Sequence, residues 1–138
     1  MRVTEIMTFD QYNLDSRFES KKPYRNGSQK QSCGDNIYFR DISSSLWQQR
    51  DSFHSMPDGS MHLEHMARDT KVNRVLISND YIYFGGEGPR IQDHLCKQGR
   101  GHCIVSDYQL IRDFERWIES LNEKGFQGRP FDWIMLRS

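Results

Sequence analysis

The chain is organised around the stretch VLISNDYIYFGGEGPRIQDHLCKQGRGHC, residues 75–103. Its two apolar runs, at residues 74–78 and 80–84, have the composition and alternation of strands. They lead into a glycine-rich turn at residues 85–88, and a second such turn follows at residues 98–103. Because glycine has no Cβ, the backbone of these turns can approach a ligand closely. The stretch therefore predicts a small sheet with polar residues presented on loops.

The rest of the chain contains both strand and helix patterns. Residues 41–70 lack clear periodicity, and we predict that they form a long surface excursion. The other patterns predict strands at 2–7 and 37–39. They also predict a helix at 9–18 that Thr8 caps. A long helix is predicted at 107–124, and it begins with a capping box of Ser106 and Gln109. These elements predict one α+β domain over residues 1–138, with a small mixed or antiparallel sheet packed by the amphipathic C-terminal helix.

The composition excludes several classes of protein. The 138 residues include 19 Lys and Arg against 19 Asp and Glu, so the strong positive charge of a general nucleic-acid binder is absent. The three cysteines lack the spacing of a disulfide scaffold, which favours a reducing compartment. No apolar run approaches the roughly 18 residues that cross a membrane. We therefore expect a soluble cytoplasmic protein without a membrane partner, and any phosphate contact must be local.

The candidate site residues lie on the predicted loops. Asp35 and Asn36 stand where a strand begins, and they either satisfy turn backbone groups or bind the polar edge of a ligand. Arg100, between two glycines and beside His102, offers a guanidinium fork that suits a phosphate or a base edge, unless a nearby carboxylate pairs with it. Tyr83 is either a stacking face for a base or a core residue.

Known motifs do not fit the glycine turns or the histidines. Residues 85–88 match neither a P-loop nor a dinucleotide fingerprint. His62 and His65 can share a helix face, but we interpret them as isolated surface histidines. The basic loop at residues 20–32 is either a solvated charge run or a phosphate contact. No metal or cofactor is predicted, because paired zinc spacing is lacking in the candidate donors His94, Cys96, His102 and Cys103.

Five parts of the chain together resemble a known family. They are MRVTEIMTFDQY at 1–12, CGDNIYFR at 33–40, His54, VLISNDYIYFGGEGP at 75–89 and QGRGHC at 98–103. In order and spacing they resemble the nucleotide modification associated domain 2 family of bacterial and phage proteins. The resemblance implies an association with DNA or nucleotide modification, without a defined reaction. Family members carry further N-terminal strands, missing here, that look like the start of a barrel that recognises modified bases, so a partial barrel is implied.

The resemblance and the loop positions give three hypotheses of function. The first is a module that binds a nucleotide or a modified base in nucleic acid, and its ligand-binding residues are Asn36, Ser78, Tyr83, Gly85, Arg100 and Gly101. The second is an enzyme acting on a nucleotide or modified base, with His54 or His102 as general acid or base and Asp35 assisting. The third is a phage protein that blocks a host factor. An incomplete sheet would also leave an open edge, which predicts self-association into a homo-oligomer.

Overall fold

The computed structural model describes residues 1–96, 99 and 103–130. Its backbone contacts divide the chain into two compact units. The N-terminal unit is Val3–Ser78, and the C-terminal unit is Asn79–Ser138 together with Met1–Arg2. The arrangement of one domain over the whole chain stays a prediction.

Short helices and strands alternate along the described residues, which confirms the α+β class. The strands are β1 (Glu5–Met7), β2 (Tyr38–Arg40), β3 (Trp47–Gln49), β4 (Val75–Ile77), β5 (Ile82–Tyr83) and β6 (Gly125–Phe126). The helices are α1 (Phe9–Leu14), α2 (Gln29–Ser32), α3 (Leu63–Asp69) and α4 (Tyr108–Ser120), with 3-10 helices at Ser16–Lys21 and Asp93–Leu95. None of the described helices has the length and apolar character needed to cross a membrane.

The strands form three separate pairs. In the N-terminal unit β1 pairs with β4 and β2 pairs with β3, both antiparallel. In the C-terminal unit β5 pairs with β6 in parallel. The prediction of small antiparallel or mixed sheets is confirmed. Since each sheet has two strands, the described residues form no closed barrel.

The first helix begins where the sequence predicts and ends earlier. The Thr8 hydroxyl accepts from the Gln11 backbone N–H, and the Gln11 side chain accepts from the Thr8 N–H, which makes a capping box. The helix ends at Leu14 because Asp15 has extended backbone and its carboxylate accepts from the Arg17 N–H, which starts the following 3-10 helix. The predicted extension to residue 18 is therefore wrong.

The core of the N-terminal unit lies where α1 packs against β2. Tyr12, Ile37 and Tyr38 are buried. The Phe9 ring meets Tyr38 and Trp47 edge to face, with centroid separations of 6.2 and 5.5 Å. Each such aromatic pair contributes about 0.5–1.5 kcal/mol beyond the burial of its area. Trp47 thus anchors the start of the long segment that follows β2.

That segment, residues 41–70, is more regular than its sequence predicts. It contains β3, which pairs with β2, and α3. The strand has three residues and is held by its pairing partner, so periodicity could not identify it. The helix begins after His62, whose Nδ1 accepts from the His65 N–H at 3.4 Å, an uncommon cap that standard capping rules do not anticipate.

The C-terminal helix exists but differs from its prediction in three respects. It ends at Ser120 rather than at residue 124. Asp107, rather than Ser106, is the N-cap, and its carboxylate accepts from the N–H groups of Gln109 and Leu110. No residue of α4 is fully buried, and Phe114 is 40% exposed. The predicted capping box is therefore wrong, and the apolar stripe is only half covered within the described residues.

Candidate functional site

The predicted site residues are divided among three parts of the chain. Four of them belong to the N-terminal unit, namely Asp35, Asn36, His54 and Ser78. Tyr83 and Gly85 belong to the C-terminal unit. Arg100, Gly101 and His102 lie outside the described residues, so their roles stay predictions.

Asp35 lies at the start of β2, where it is two-thirds exposed. The Tyr12 hydroxyl donates to Asp35 Oδ1 at 2.7 Å, and Lys21 Nζ lies 4.0 Å from Oδ2. Burial, and after it the bond to Asp35, raise the pKa of Tyr12. The phenol therefore stays protonated and keeps donating to the carboxylate at neutral pH.

Asn36 is only 1% exposed, and its N–H groups serve the fold, whereas its buried Oδ1 has no hydrogen-bond partner among the described residues. Its Nδ2 donates to the carbonyl oxygens of Tyr12 and Phe18 at 3.3 and 3.5 Å. Its backbone N–H donates to the Lys21 oxygen at 3.0 Å. The amide thus joins α1 to the 3-10 helix and to β2, which is the use of asparagine in turns that the sequence left open. Contact of Asn36 with a ligand requires the surrounding chain to move.

Three aromatic rings meet on the β5–β6 pair, and we call Tyr81, Tyr83 and Phe126 the aromatic platform. Phe126 lies 5.5 Å from Tyr81 and 5.5 Å from Tyr83, with its ring steeply inclined to both. Tyr83 is 39% exposed and Phe126 is 73% exposed. Two backbone hydrogen bonds fix the arrangement, from Gly125 N–H to the Tyr81 oxygen and from Gln127 N–H to the Tyr83 oxygen, both at 2.8 Å. The backbone that carries the platform is therefore fixed, while the rings of Tyr83 and Phe126 stay exposed to solvent.

Phe126 is a candidate that reasoning from sequence missed. The strand that carries it has two residues and pairs with a partner 43 positions earlier in the chain, since Tyr83 lies opposite Phe126 and 126 minus 83 is 43. No local pattern reports a pairing of this kind. The only available signal was a glycine and an aromatic residue following a long helix.

Gly85 adopts a left-handed backbone, with φ +63°, and another segment of the chain lies against it. A Cβ at Gly85 would lie 2.0 Å from the Arg129 carbonyl oxygen. Gly86 N–H donates to that same oxygen at 3.1 Å. A Cβ at Gly128 would likewise lie 2.2 Å from the Phe84 oxygen. The close approach that needs glycine here is thus made by the protein's own backbone, and ligand contact at Gly85 stays a prediction.

A cleft of about 390 Å³ lies beside the platform. Its lining residues are Glu87, Phe126, Gln127, Gly128 and Arg129. Within the described residues, neither the Glu87 carboxylate nor the Arg129 guanidinium has an ion-pair partner within 4.0 Å. The cleft thus combines the aromatic face of Phe126, the carboxylate of Glu87 as a hydrogen-bond acceptor and the guanidinium of Arg129 as a hydrogen-bond donor. These are the groups that stack on a base, accept from an exocyclic amine and bind a phosphate.

His54 lies near two other histidines of the N-terminal unit. Its ring centroid is 6.3 Å from that of His65, and the His65 ring stacks on His62 at 3.7 Å. The interpretation of His62 and His65 as isolated surface residues is therefore wrong. No group of three metal-ligating side chains in the described ranges has the geometry to hold a metal ion.

The basic loop at residues 20–32 is largely neutralised. Lys22 pairs with Glu19, and Arg25 NH1 donates to Asp51 Oδ1 at 2.8 Å. Lys21 faces Asp35. Two of these acids, Glu19 and Asp35, flank the loop in sequence, and only Asp51 comes from a distant segment. The loop looked uncompensated because it contains no acid of its own. This observation favours the solvated reading over a general phosphate contact.

Comparison with protein families identifies a match over nearly the whole chain. Residues 1–137 match a family model described as nucleotide modification associated domain 2. No curated protein and no solved structure matches the chain. The matched region includes both units and all but the last of the 138 residues. The chain therefore belongs to the nucleotide modification associated domain 2 family.

Proposed function

We propose that this protein binds a nucleotide, or a modified base within nucleic acid, in the cleft beside the aromatic platform. The observation that carries the proposal is Phe126, whose ring is 73% exposed although two tyrosines fix its orientation. A large apolar ring gains free energy when it leaves water, by about 25 cal/mol per Å² of apolar surface. A rigid ring left open is therefore a suitable surface for a base to cover.

The charged residues of the cleft complete a nucleotide-binding set. The base stacks on Phe126, and such stacking contributes about 1–3 kcal/mol per base. Glu87 accepts from an exocyclic amino group of the base, while Arg129 donates to a phosphate oxygen. Arg100 and Gly101 are further candidates for the phosphate on grounds of sequence alone. The family's association with nucleotide modification supports a ligand of this class.

The proposal is tested by equilibrium binding with a matched pair of variants. Mononucleotides and short single-stranded oligonucleotides, carrying ordinary or modified bases, are titrated into the full chain by calorimetry or fluorescence anisotropy. We expect saturable binding that Phe126→Ala weakens by about 5- to 150-fold, which corresponds to the loss of about 1–3 kcal/mol of stacking.

The control is Phe53→Ala, because Phe53 is 78% exposed and belongs to the N-terminal unit. It should bind like the wild type. Two outcomes would overturn the proposal: a folded wild-type protein that binds none of these ligands, or equal losses of affinity in Phe126→Ala and Phe53→Ala.

A further inference from the structure

Two of the polar side chains in the cleft beside the aromatic platform present hydrogen-bond acceptors. The polar side chains that line the cleft are Glu87, Gln127 and Arg129. The Glu87 carboxylate has two acceptor oxygens and no donor, whereas the Arg129 guanidinium only donates. The amide of Gln127 has a donor end and an acceptor end, so the character of the cleft depends on how this amide is oriented.

The backbone determines the orientation of the Gln127 amide. Its Nε2 donates to the Lys124 carbonyl oxygen at 2.6 Å. A carbonyl oxygen accepts and cannot donate, so the amide nitrogen must face it. The Oε1 atom, which only accepts, is thereby left for a ligand. Glu87 and Gln127 together provide the cleft with two carboxylate oxygens and one amide oxygen as acceptors.

Backbone hydrogen bonds fix the turn that carries Glu87 relative to the segment that follows Phe126. Glu87 N–H donates to the Phe84 oxygen at 3.3 Å, which closes the turn after β5. Gly86 N–H, in the same turn, donates to the Arg129 oxygen at 3.1 Å. The two sides of the cleft are therefore joined by the backbone, and their spacing does not depend on a ligand.

The ordinary bases differ in what they offer to acceptors of this kind. Guanine has two adjacent donors on its Watson–Crick edge, the N1–H and the N2 amino group. Adenine and cytosine instead place one amino group beside a ring nitrogen that accepts, and a carboxylate repels the lone pair of that nitrogen. Uracil and thymine place one N–H between two carbonyl oxygens. Guanine therefore complements the acceptors of the cleft better than the other bases do.

We propose that the cleft is specific for guanine, either in a free nucleotide or in unpaired nucleic acid. Glu87 accepts from N1–H and from one hydrogen of the N2 amino group, in two parallel bonds like those between a carboxylate and a guanidinium. Gln127 Oε1 accepts from the other amino hydrogen. Within a double helix cytosine occupies these donors, so a duplex is excluded as the ligand. This specificity rests on the function proposed above, because Phe126 must first hold the base in the cleft.

Calorimetry with four mononucleotides tests the specificity. The 5′-monophosphates of guanosine, adenosine, cytidine and uridine are titrated separately into the full chain at neutral pH. We expect guanosine monophosphate to bind at least about tenfold more tightly than the other three, because hydrogen bonds to a charged group are among the stronger ones. Equal affinities would overturn the specificity and leave the proposed function intact. Absence of binding by all four, and by the oligonucleotides used above, would overturn both.

Glu87→Gln tests the acceptor role of the carboxylate. A glutamine amide presents one acceptor beside one donor, which matches the amino group and ring nitrogen of adenine rather than the two donors of guanine. The variant should bind guanosine monophosphate at least about tenfold more weakly than the wild type, and adenosine monophosphate at least as tightly. The control is Glu115→Gln, because Glu115 is exposed on α4 and does not line the cleft. It should keep the wild-type preference, whereas a Glu87→Gln protein that keeps this preference would contradict the proposal.

Inosine monophosphate isolates the contribution of Gln127. Its base, hypoxanthine, keeps the N1–H of guanine and lacks the N2 amino group. Gln127→Ala should therefore weaken the binding of guanosine monophosphate by about 2- to 10-fold and leave the binding of inosine monophosphate unchanged. Equal losses for the two nucleotides would overturn the contact between Gln127 and the amino group.

An oligonucleotide with one central guanine distinguishes the two sources of the base. It is titrated as a single strand and as a duplex with its complement, and both are compared with guanosine monophosphate. Tighter binding of the single strand assigns the cleft to nucleic acid, and tighter binding of the mononucleotide assigns it to the free nucleotide. Duplex binding as tight as that of the single strand would contradict the proposal. Phe126→Ala should weaken all nucleotides by similar factors, whereas Glu87→Gln changes their ratio, so failure of stacking and failure of base selection are distinguishable.

Discussion

Replacing Gly85 by alanine tests what the glycine-rich turn is for. The added Cβ would lie 2.0 Å from the Arg129 carbonyl oxygen, whereas ordinary contact begins at 3.4 Å, so one group must move by roughly 1.4 Å. The left-handed backbone of Gly85 costs an L-residue about a further 1–2 kcal/mol. Movement of the Arg129 carbonyl would also break its hydrogen bond with Gly86 N–H, which contributes about 1 kcal/mol. We expect Gly85→Ala to lower the free energy of unfolding by about 2–3 kcal/mol or more.

Gly125→Ala is the matched control for this experiment. Gly125 also has a left-handed backbone, with φ +71°, but a Cβ there meets no atom within 4 Å. It should therefore lose only the backbone contribution, about 1–2 kcal/mol. The difference between the two variants isolates the clash with Arg129.

Chemical denaturation followed by circular dichroism measures both variants. Gly85→Ala should unfold at a clearly lower denaturant concentration than Gly125→Ala. If the two variants unfold together, the close packing of residues 85 and 129 is refuted. If Gly85→Ala unfolds like the wild type and loses only ligand binding, the glycine serves a ligand rather than the fold.

Three further predictions concern single residues. Burial, followed by the hydrogen bond to Asp69, raises the pKa of Tyr38 from 10.0 to about 12. The contribution of this phenol to stability is therefore complete below pH 10 and is lost as the pH rises towards 12. In a titration followed by absorbance at 295 nm, Tyr38→Phe should show one late-titrating tyrosine fewer than the wild type. Asn36→Ala removes the buried amide that joins α1 to the 3-10 helix and should lower the free energy of unfolding by about 1–3 kcal/mol in urea denaturation, whereas an unchanged midpoint would exclude that structural role. Arg100→Ala should weaken nucleotide binding without changing the melting temperature; wild-type affinity in calorimetry would remove Arg100 from the proposed site.

Features set by neighbouring residues were predictable from the sequence. The start of α1 depends on Thr8 and Gln11, which are three positions apart, and the apolar runs identified β4 and β5. The cap of α4 was misplaced by one residue because Ser106 and Asp107 are both good caps, and only the backbone decides between them. Local chemistry thus locates elements better than it locates their ends.

The site residues that were missed depend on contacts between distant segments. Phe126 joins the aromatic platform through a parallel pairing with β5, and no periodicity encodes that pairing. The loop that carries His54 is fixed by Arg25 from 26 residues away, since 51 minus 25 is 26. Residue types such as exposed aromatics and histidines are visible in a sequence, but their convergence is a property of the tertiary structure.

The most direct test of the central claim is to locate a bound base on the protein. A short single-stranded oligonucleotide carrying 5-iodouracil is bound to the full chain and irradiated, and mass spectrometry identifies the cross-linked residue. We expect adducts on Phe126 or Tyr83, and competition by an unlabelled nucleotide should suppress them. Adducts confined to residues 3–78, formed by a protein that binds the oligonucleotide, would contradict the claim.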